Sequence, residues 1–423
     1  MNYDIVAGLD NTTLNSLISQ IYSGLYPKLF KNTISINDLG FASVEIDFQK
    51  APTVDLSGEQ GILEHYNSIL NSEQNEYTAK LPNYIKYKIM ASASASSFVL
   101  NASQLNLTIN YTDTSKPSLT VMSSLSTIVQ VQSSSTDITF QIQSGTLTIP
   151  SDPGLALLLN GAVVPLFLIP YLNTNLLSPI QIPNLKWQSI QVSTPTIAVQ
   201  SPYVTAYSAM GTTQPDIPSP FAWPNNCIFI GVDTTALMDA AAIPFPLGPN
   251  SGFDWGGHSA PAVWGSVGAQ LTAPSSIVIN QDGSLTITIN ASAWAQLTVD
   301  LPIIPNFTIG PNGTATLTAT ATPSVNNGEL KITINSVDIP SFSWSGLGPL
   351  DFILDAVLDA LGATLSGIIN AALVPLSINV YQIPTISFTL GGLPFNINLN
   401  EATTSAGGPQ SSLLMINAQA SVN

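Results

Sequence analysis

Apolar residues near the start of the chain recur at helical spacing. Leu14, Leu17, Ile18, Ile21, Tyr22 and Leu25 follow i, i+3, i+4 steps and form one face. Asp10 or Asn11 stands where a cap belongs, and Pro27 where the helix must end. The period then changes to two. A run from Val99 through Asn101, Ser103, Leu105 and Leu107 to Ile109 alternates, as do Thr139–Gln143 and Leu147–Ile149, which predicts strands. A second helix is predicted with Leu155, Leu158, Leu159, Ala162 and Val163 on one face. Strands return at Ser276–Ile279, Leu285–Ile289 and Leu330–Ile334, with turns at Gln281-Asp282-Gly283-Ser284 and Asn326-Asn327-Gly328. The longest helical stripe lies between Phe352 and Leu376, with apolar residues at 353, 354, 357, 358, 361, 365, 368, 369, 372 and 373. Asp351, Asp355 and Asp359 form its acidic edge.

Three short matches recur in the same order in the two halves. Ile5-Val6-Ala7-Gly8-Leu9-Asp10-Asn11-Thr12-Thr13-Leu14 lies on Ile228-Phe229-Ile230-Gly231-Val232-Asp233-Thr234-Thr235-Ala236-Leu237. Asn160-Gly161-Ala162-Val163-Val164-Pro165-Leu166 matches Asn370-Ala371-Ala372-Leu373-Val374-Pro375-Leu376. Ile182-Pro183-Asn184-Leu185-Lys186-Trp187 matches Ile383-Pro384-Thr385-Ile386-Ser387-Phe388. The expected plan is a duplication: residues 1–212 as one repeat, 213–224 as a stiff proline-rich linker, and 225–423 as the second repeat. Each repeat would run from an opening helix through strands to a second helix and closing strands. The fold class is then α+β.

Composition supports packed cores and narrows the partners. Of 423 residues, 45% are hydrophobic and only 8% charged, so polarity comes from Ser, Thr, Asn and Gln. The nine basic residues are all lysine and face 25 acidic ones, for a net charge of -16. Without arginine, and with that charge, nucleic acid is an unfavourable partner and so is an anionic membrane. One cysteine, Cys227, allows no internal disulfide and reads as a buried apolar residue. The first residues lack a basic region and a long apolar core, so the expectation is a cytosolic protein or export without a cleaved leader. Asn-x-Ser/Thr sequons, as at Asn101, Asn106 and Asn110, then reflect composition. Only the 352–376 stripe raises the question of a membrane span, and its acidic edge argues against one.

Chemistry finds little support. His65 and His258 sit in no metal-binding spacing, and no cofactor is expected. Gly257-His258-Ser259-Ala260-Pro261 touches the nucleophile-elbow pattern but ends in proline. Asp351, Asp355 and Asp359 are more simply a solvated helix edge near an N-terminus. The aromatic residues Trp223, Phe245, Phe253, Trp255 and Trp264 flank the second opening helix, as core packing or as the mouth of a ligand site. No enzyme is expected.

The outline of helices and two strand-rich halves resembles the tubular lipid-binding superfamily, which includes bactericidal/permeability-increasing-like proteins. The opening Tyr3-Asp4-Ile5-Val6 before a helix is similar to clostridial neurotoxin-cluster accessory proteins of that superfamily. Val164-Pro165 and Val374-Pro375, read as proline-ended helices, suit it too. The resemblance implies two highly curved antiparallel sheets, each wrapped around a long amphipathic helix, with an apolar ligand between helix and sheet. It also implies a secreted bacterial, toxin-associated setting with a possible protein partner. The chain lacks the cationic tip and the disulfide of the host-defence members, which favours a neutral lipid or fatty acid over anionic lipopolysaccharide. The groove residues expected from helix faces are Leu14, Leu17, Ile18, Ile21, Leu155, Leu158, Leu159, Val163, Leu354, Val357, Leu361, Leu365 and Ile368. The alternative is an interaction module whose side chains fill that space and leave no ligand.

Overall fold

A computed structural model describes residues 3–38, 40–57, 96–134, 137–175, 177, 180–181, 186–187, 190–240, 252–259, 262–301, 304–326, 328–346, 351–382, 386–390, 393–409 and 412–422. The protein is α+β, and its described residues form two large antiparallel sheets of 14 and 8 strands, a two-stranded ribbon and few helices. The described helices are Asn11–Leu25, a composite Pro153–Asn175, Thr234–Ala240 and Asp351–Leu373.

Strands are long because alternation is sustained. In Asn312–Asn326, Gly313, Ala315, Leu317, Ala319 and Ala321 are buried while Asn312, Thr314, Thr316, Thr318 and Thr320 are exposed. Threonine suits the outer positions of a pleated surface. The runs read from sequence fall within the strands Ser97–Tyr111, Asp137–Thr148, Ala262–Ile279, Leu285–Leu301 and Glu329–Asp338, except Ile149, which lies just past a strand end. Register shifts at Ala102/Leu105, Ile128/Val129 and Leu271/Pro274 mark bulges, which bend the sheets. The inner face of each sheet carries a core. One gathers Leu25, Ile46, Leu107, Ile142, Leu159 and Leu168, and the other Leu237, Ile289, Leu317, Leu361 and Leu365.

The two halves pair strands at two places among the described residues, at Ile180 opposite Phe388 and, more extensively, at the chain's opening strand. Ile5–Asp10 runs antiparallel to Ile228–Asp233, with Ile5 opposite Val232 and Leu9 opposite Ile228. The outer neighbour of the first is Tyr203–Ser208, and that of the second is Leu413–Val422. Glycines let this pair close. A Cβ at Gly8 would lie 2.6 Å from the Phe229 ring, and one at Gly231 would lie 2.8 Å from Val6. These contacts exchange under a local two-fold, because Gly8 aligns with Gly231 and Val6 with Phe229 in the first sequence match. Each strand leads into a helix through an aspartate. Asp10 accepts from the Thr13 N–H at 3.0 Å, and Asp233 from the Ala236 N–H at 2.9 Å.

The second match has no such shared setting. Val374-Pro375 follows the end of the helix at Leu373, whereas Pro165 lies inside a helix that continues to Asn175. The reading of Val164-Pro165 as a helix end is therefore corrected. The third match lies largely outside the described residues. The proline-rich 213–224 segment lies against the sheet. Pro215 and Pro218 carbonyls accept from Thr196 and Gln200, each at 2.8 Å, and the Trp223 carbonyl accepts from the Tyr203 hydroxyl. The Trp223 indole stacks on Phe229, centroids 5.3 Å apart. Cys227 is buried beside them, and burial pushes its thiol up.

Candidate ligand-binding groove

The strongest candidate lies beneath the helical segment Pro153–Asn175. Asp152 caps it by accepting from the Leu155 N–H at 2.9 Å, with proline at the first position. The segment starts as α-helix, widens to a π-helix over Leu159–Leu168 and returns to α-helix from Ile169. Pro165 has no N–H to give and would crowd the carbonyl four residues back in a regular helix. The wider turn absorbs this misfit, and Ile169 N–H reaches back to the Val164 carbonyl.

That change of period moves the buried face. Ala156, Leu159, Val163, Val164, Leu168 and Leu172 point inward. Of the residues expected from α-helical spacing, Leu159 and Val163 are buried and Leu155 is half-buried, while Leu158 is 50% exposed. The opening helix joins the same core through buried Leu25 and half-buried Leu14, Ile18 and Ile21, while its Leu17 is buried outside that core. Leu354, Val357, Leu361 and Leu365 are buried under the other sheet and Ile368 is half-buried. The expected residues thus divide between two separate cores, except Leu17, Leu158 and Ile368, which belong to neither. Asp355 and Asp359 are exposed on the far side of the long helix.

Two asparagines pin the middle helix to the edge of strand Asp137–Thr148. Asn160 accepts from the Leu147 N–H at 2.7 Å and donates to the Leu147 carbonyl at 2.8 Å. Asn173 does the same at Ile142, at 2.7 and 3.1 Å. Each carboxamide replaces the donor and acceptor of a missing neighbouring strand. Asn15 of the opening helix clips Val54 in the same way, at 2.7 and 2.9 Å.

The floor consists of Ile34, Ile36, Val44, Ile46, Leu107 and Leu147, and the roof of Leu159, Val163, Val164, Phe167 and Leu168. Every lining residue is apolar. The space left between them is a cavity of ≈ 10 Å³, about what one water requires and far below the ~300–1,000 Å³ of small-molecule pockets. The roof's outer side is also apolar: Leu157, Leu158 and Leu166 are 38%, 50% and 64% exposed. No charged residue occurs from Pro153 to Leu185. The segment is long and apolar enough to cross a membrane, as is Leu354–Leu373, so among the described residues two segments and not one raise that question. The floor residues were missed as site residues, although 31–48 holds alternating apolar positions. The asparagine clips carry no sequence signal of their own.

The catalytic candidates are not assembled. Gly257, His258 and Ser259 lie on the strand Gly252–Ser259, so the strand–turn–helix setting of a nucleophile elbow is absent there. A bulge between Trp255 and His258 explains Gly257, whose φ is +92°. Among the described residues no cluster of His, Cys, Asp and Glu is arranged to hold a metal, and His65 lies outside them. Of the aromatic set, Trp223 and Trp255 are buried, Phe253 is half-buried, Trp264 is 43% exposed, and Phe245 lies outside the described residues.

No family model matches the chain, and no curated protein matches it. Solved structures do. P47 from Clostridium botulinum A2 is similar at a TM-score of 0.48 and 10% identity, with 99% of this chain and 97% of that chain covered. P47 of Clostridium botulinum E1 is similar at 0.48 and 9% identity, with 99% of each chain covered. A lipopolysaccharide binding protein is similar at 0.33 and 12% identity, over 100% of this chain and 99% of that one.

Proposed function

We propose that the chain is a non-catalytic binder of an acyl chain or another aliphatic guest, taken up beneath the 153–175 helix when that helix lifts. The observation that carries this reading is a helix apolar on both faces over a floor of aliphatic side chains. A roof of that kind exposes leucine to water while closed, and exchanges one apolar contact for another when it meets lipid. The cavity is too small for a guest, so uptake requires the roof to move. The test is to unfold the protein in denaturant, refold it free of lipid, and offer palmitate or phosphatidylcholine. Stoichiometric uptake supports the reading, and no uptake of either overturns it.

A second reading is an interaction module with a filled core. The ≈ 10 Å³ cavity favours it, since packing is already nearly complete. Its mark is a stable protein partner together with failure to take up lipid. Under either reading the chain performs no catalysis, and the strand placement of His258 and Ser259 is what speaks against the one candidate site. We also read the halves as a duplication, supported by the two-fold exchange of contacts at Gly8 and Gly231.

A further inference from the structure

The outer face of the second sheet carries two tryptophans that its core does not use. Trp264 is 43% exposed and Trp294 is 37% exposed. Trp294 lies flat across its neighbouring strands. Its register partner is Gly268, whose own partner is Gly252. A Cβ at Gly268 would lie 2.6 Å from the indole, and one at Gly252 would lie 3.0 Å from it. The two glycines therefore form a bed that turns one face of the ring toward solvent.

Trp264 stands on the same face, paired with Thr298, four residues along the strand from Trp294. At ~3.3 Å per residue the two indoles are roughly 13 Å apart along the strand. Asp254, Ser266 and Gln296 form the row between them, with Asn312 and Thr308 at the sides. No lysine belongs to these rows. The surface thus combines flat aromatic faces with amide, hydroxyl and carboxylate groups, and offers no cation to an anion.

We propose that this face binds a neutral oligosaccharide, with sugar rings stacked on Trp264 and Trp294. The C–H face of a pyranose is apolar and slightly positive, which suits the negative face of an indole. Its equatorial hydroxyls need donors and acceptors at the rim of the ring, which Ser266, Gln296 and Asn312 supply, and Asp254 accepts without competition from a cation. The spacing calls for an oligosaccharide, since one ring covers only one indole. Heparin and other anionic glycans are disfavoured by Asp254 and by the chain's net charge of -16. The site lies on the other sheet from the 153–175 groove and stands independently of it.

The test is affinity electrophoresis of the full chain in gels cast with starch, hydroxyethyl cellulose, xyloglucan or glycol chitin. Retardation in at least one gel is expected, weakened about tenfold by Trp264→Ala, with the variant's thermal melt unchanged. In parallel, oligosaccharides of the retarding type should protect Trp264 of the unaltered protein from N-bromosuccinimide oxidation, read by peptide mass spectrometry. That readout does not depend on a variant folding. No retardation in any of the four gels overturns the proposal. So does retardation that survives Trp264→Ala without protection, or binding to phosphatidylcholine vesicles that Trp264→Ala abolishes while no glycan binds.

Discussion

The Asn160 carboxamide and the backbone of Leu147 exchange two hydrogen bonds, 2.7 and 2.8 Å long, so that a side chain serves as a strand's missing neighbour. Asn173 repeats the device at Ile142. Between these clips the helix carries its π-turn and Pro165, where the regular ladder is already broken. Asn160→Ala leaves a part-buried N–H and carbonyl without partners and should cost about 1–3 kcal/mol. If the helix is a roof that lifts, the same change speeds uptake of palmitate by lipid-free protein. Denaturant melts and stopped-flow uptake separate the two effects.

The two faces of that helix should respond oppositely to substitution. Leu159→Ala removes a side chain only 1% exposed and should cost about 2–5 kcal/mol. Leu166→Ser changes a residue 64% exposed and should leave stability within about 0.5 kcal/mol. It should still weaken association with phosphatidylcholine vesicles, measured by flotation. A large loss of stability in Leu166→Ser would place that leucine in a packed environment and contradict the outward assignment.

At the junction of the halves, Gly8→Ala would set a methyl 2.6 Å from the Phe229 ring and 2.7 Å from the Val204 carbonyl. The ring can shift, but the carbonyl is held in the sheet. A loss of about 1–3 kcal/mol is expected. Gly8→Ala with Phe229→Leu should recover only part of it, because the carbonyl clash stays.

The two capping aspartates should titrate in opposite senses. Burial pushes Asp10 up, but hydrogen bonding from Thr13 outweighs it and holds the carboxyl below its ordinary value. Its contribution to stability is present above the unfolded pKa of about 3.9 and is lost as pH falls through the folded value. Asp233 is raised, first by burial and also by the charge of Asp4. Folding then favours its protonated form, and that contribution fades as pH rises through the folded value. Asparagine can also cap, so Asp→Asn isolates the charge. At neutral pH, Asp233→Asn should stabilise and Asp10→Asn destabilise, and both effects should shrink toward pH 3 in chemical denaturation.

Much of the fold is legible in the sequence wherever one period holds. The opening helix, with Asp10 as cap and Tyr26-Pro27 beyond its end, follows from spacing alone. So does the long helix, where Leu354, Val357, Leu361, Leu365, Ile369 and Leu373 form one buried stripe. The middle helix departs because Pro165 lies within it and the π-turn shifts the buried face, which puts Leu158 outside and Val164 inside. The floor of the groove comes from strands far apart in sequence, and pairing partners are not encoded in local periodicity. The clips at Asn160 and Asn173 depend on a strand edge that only the assembled sheet provides. Trp264 and Trp294 belong together only through the strand register of the second sheet.

An apolar guest carried by this protein is the central expectation. Native mass spectrometry of the purified protein, before and after organic extraction, asks this directly. Extra mass that disappears on extraction and reports the lipid class is expected. A bare polypeptide mass in both spectra would contradict it and favour the filled interaction module.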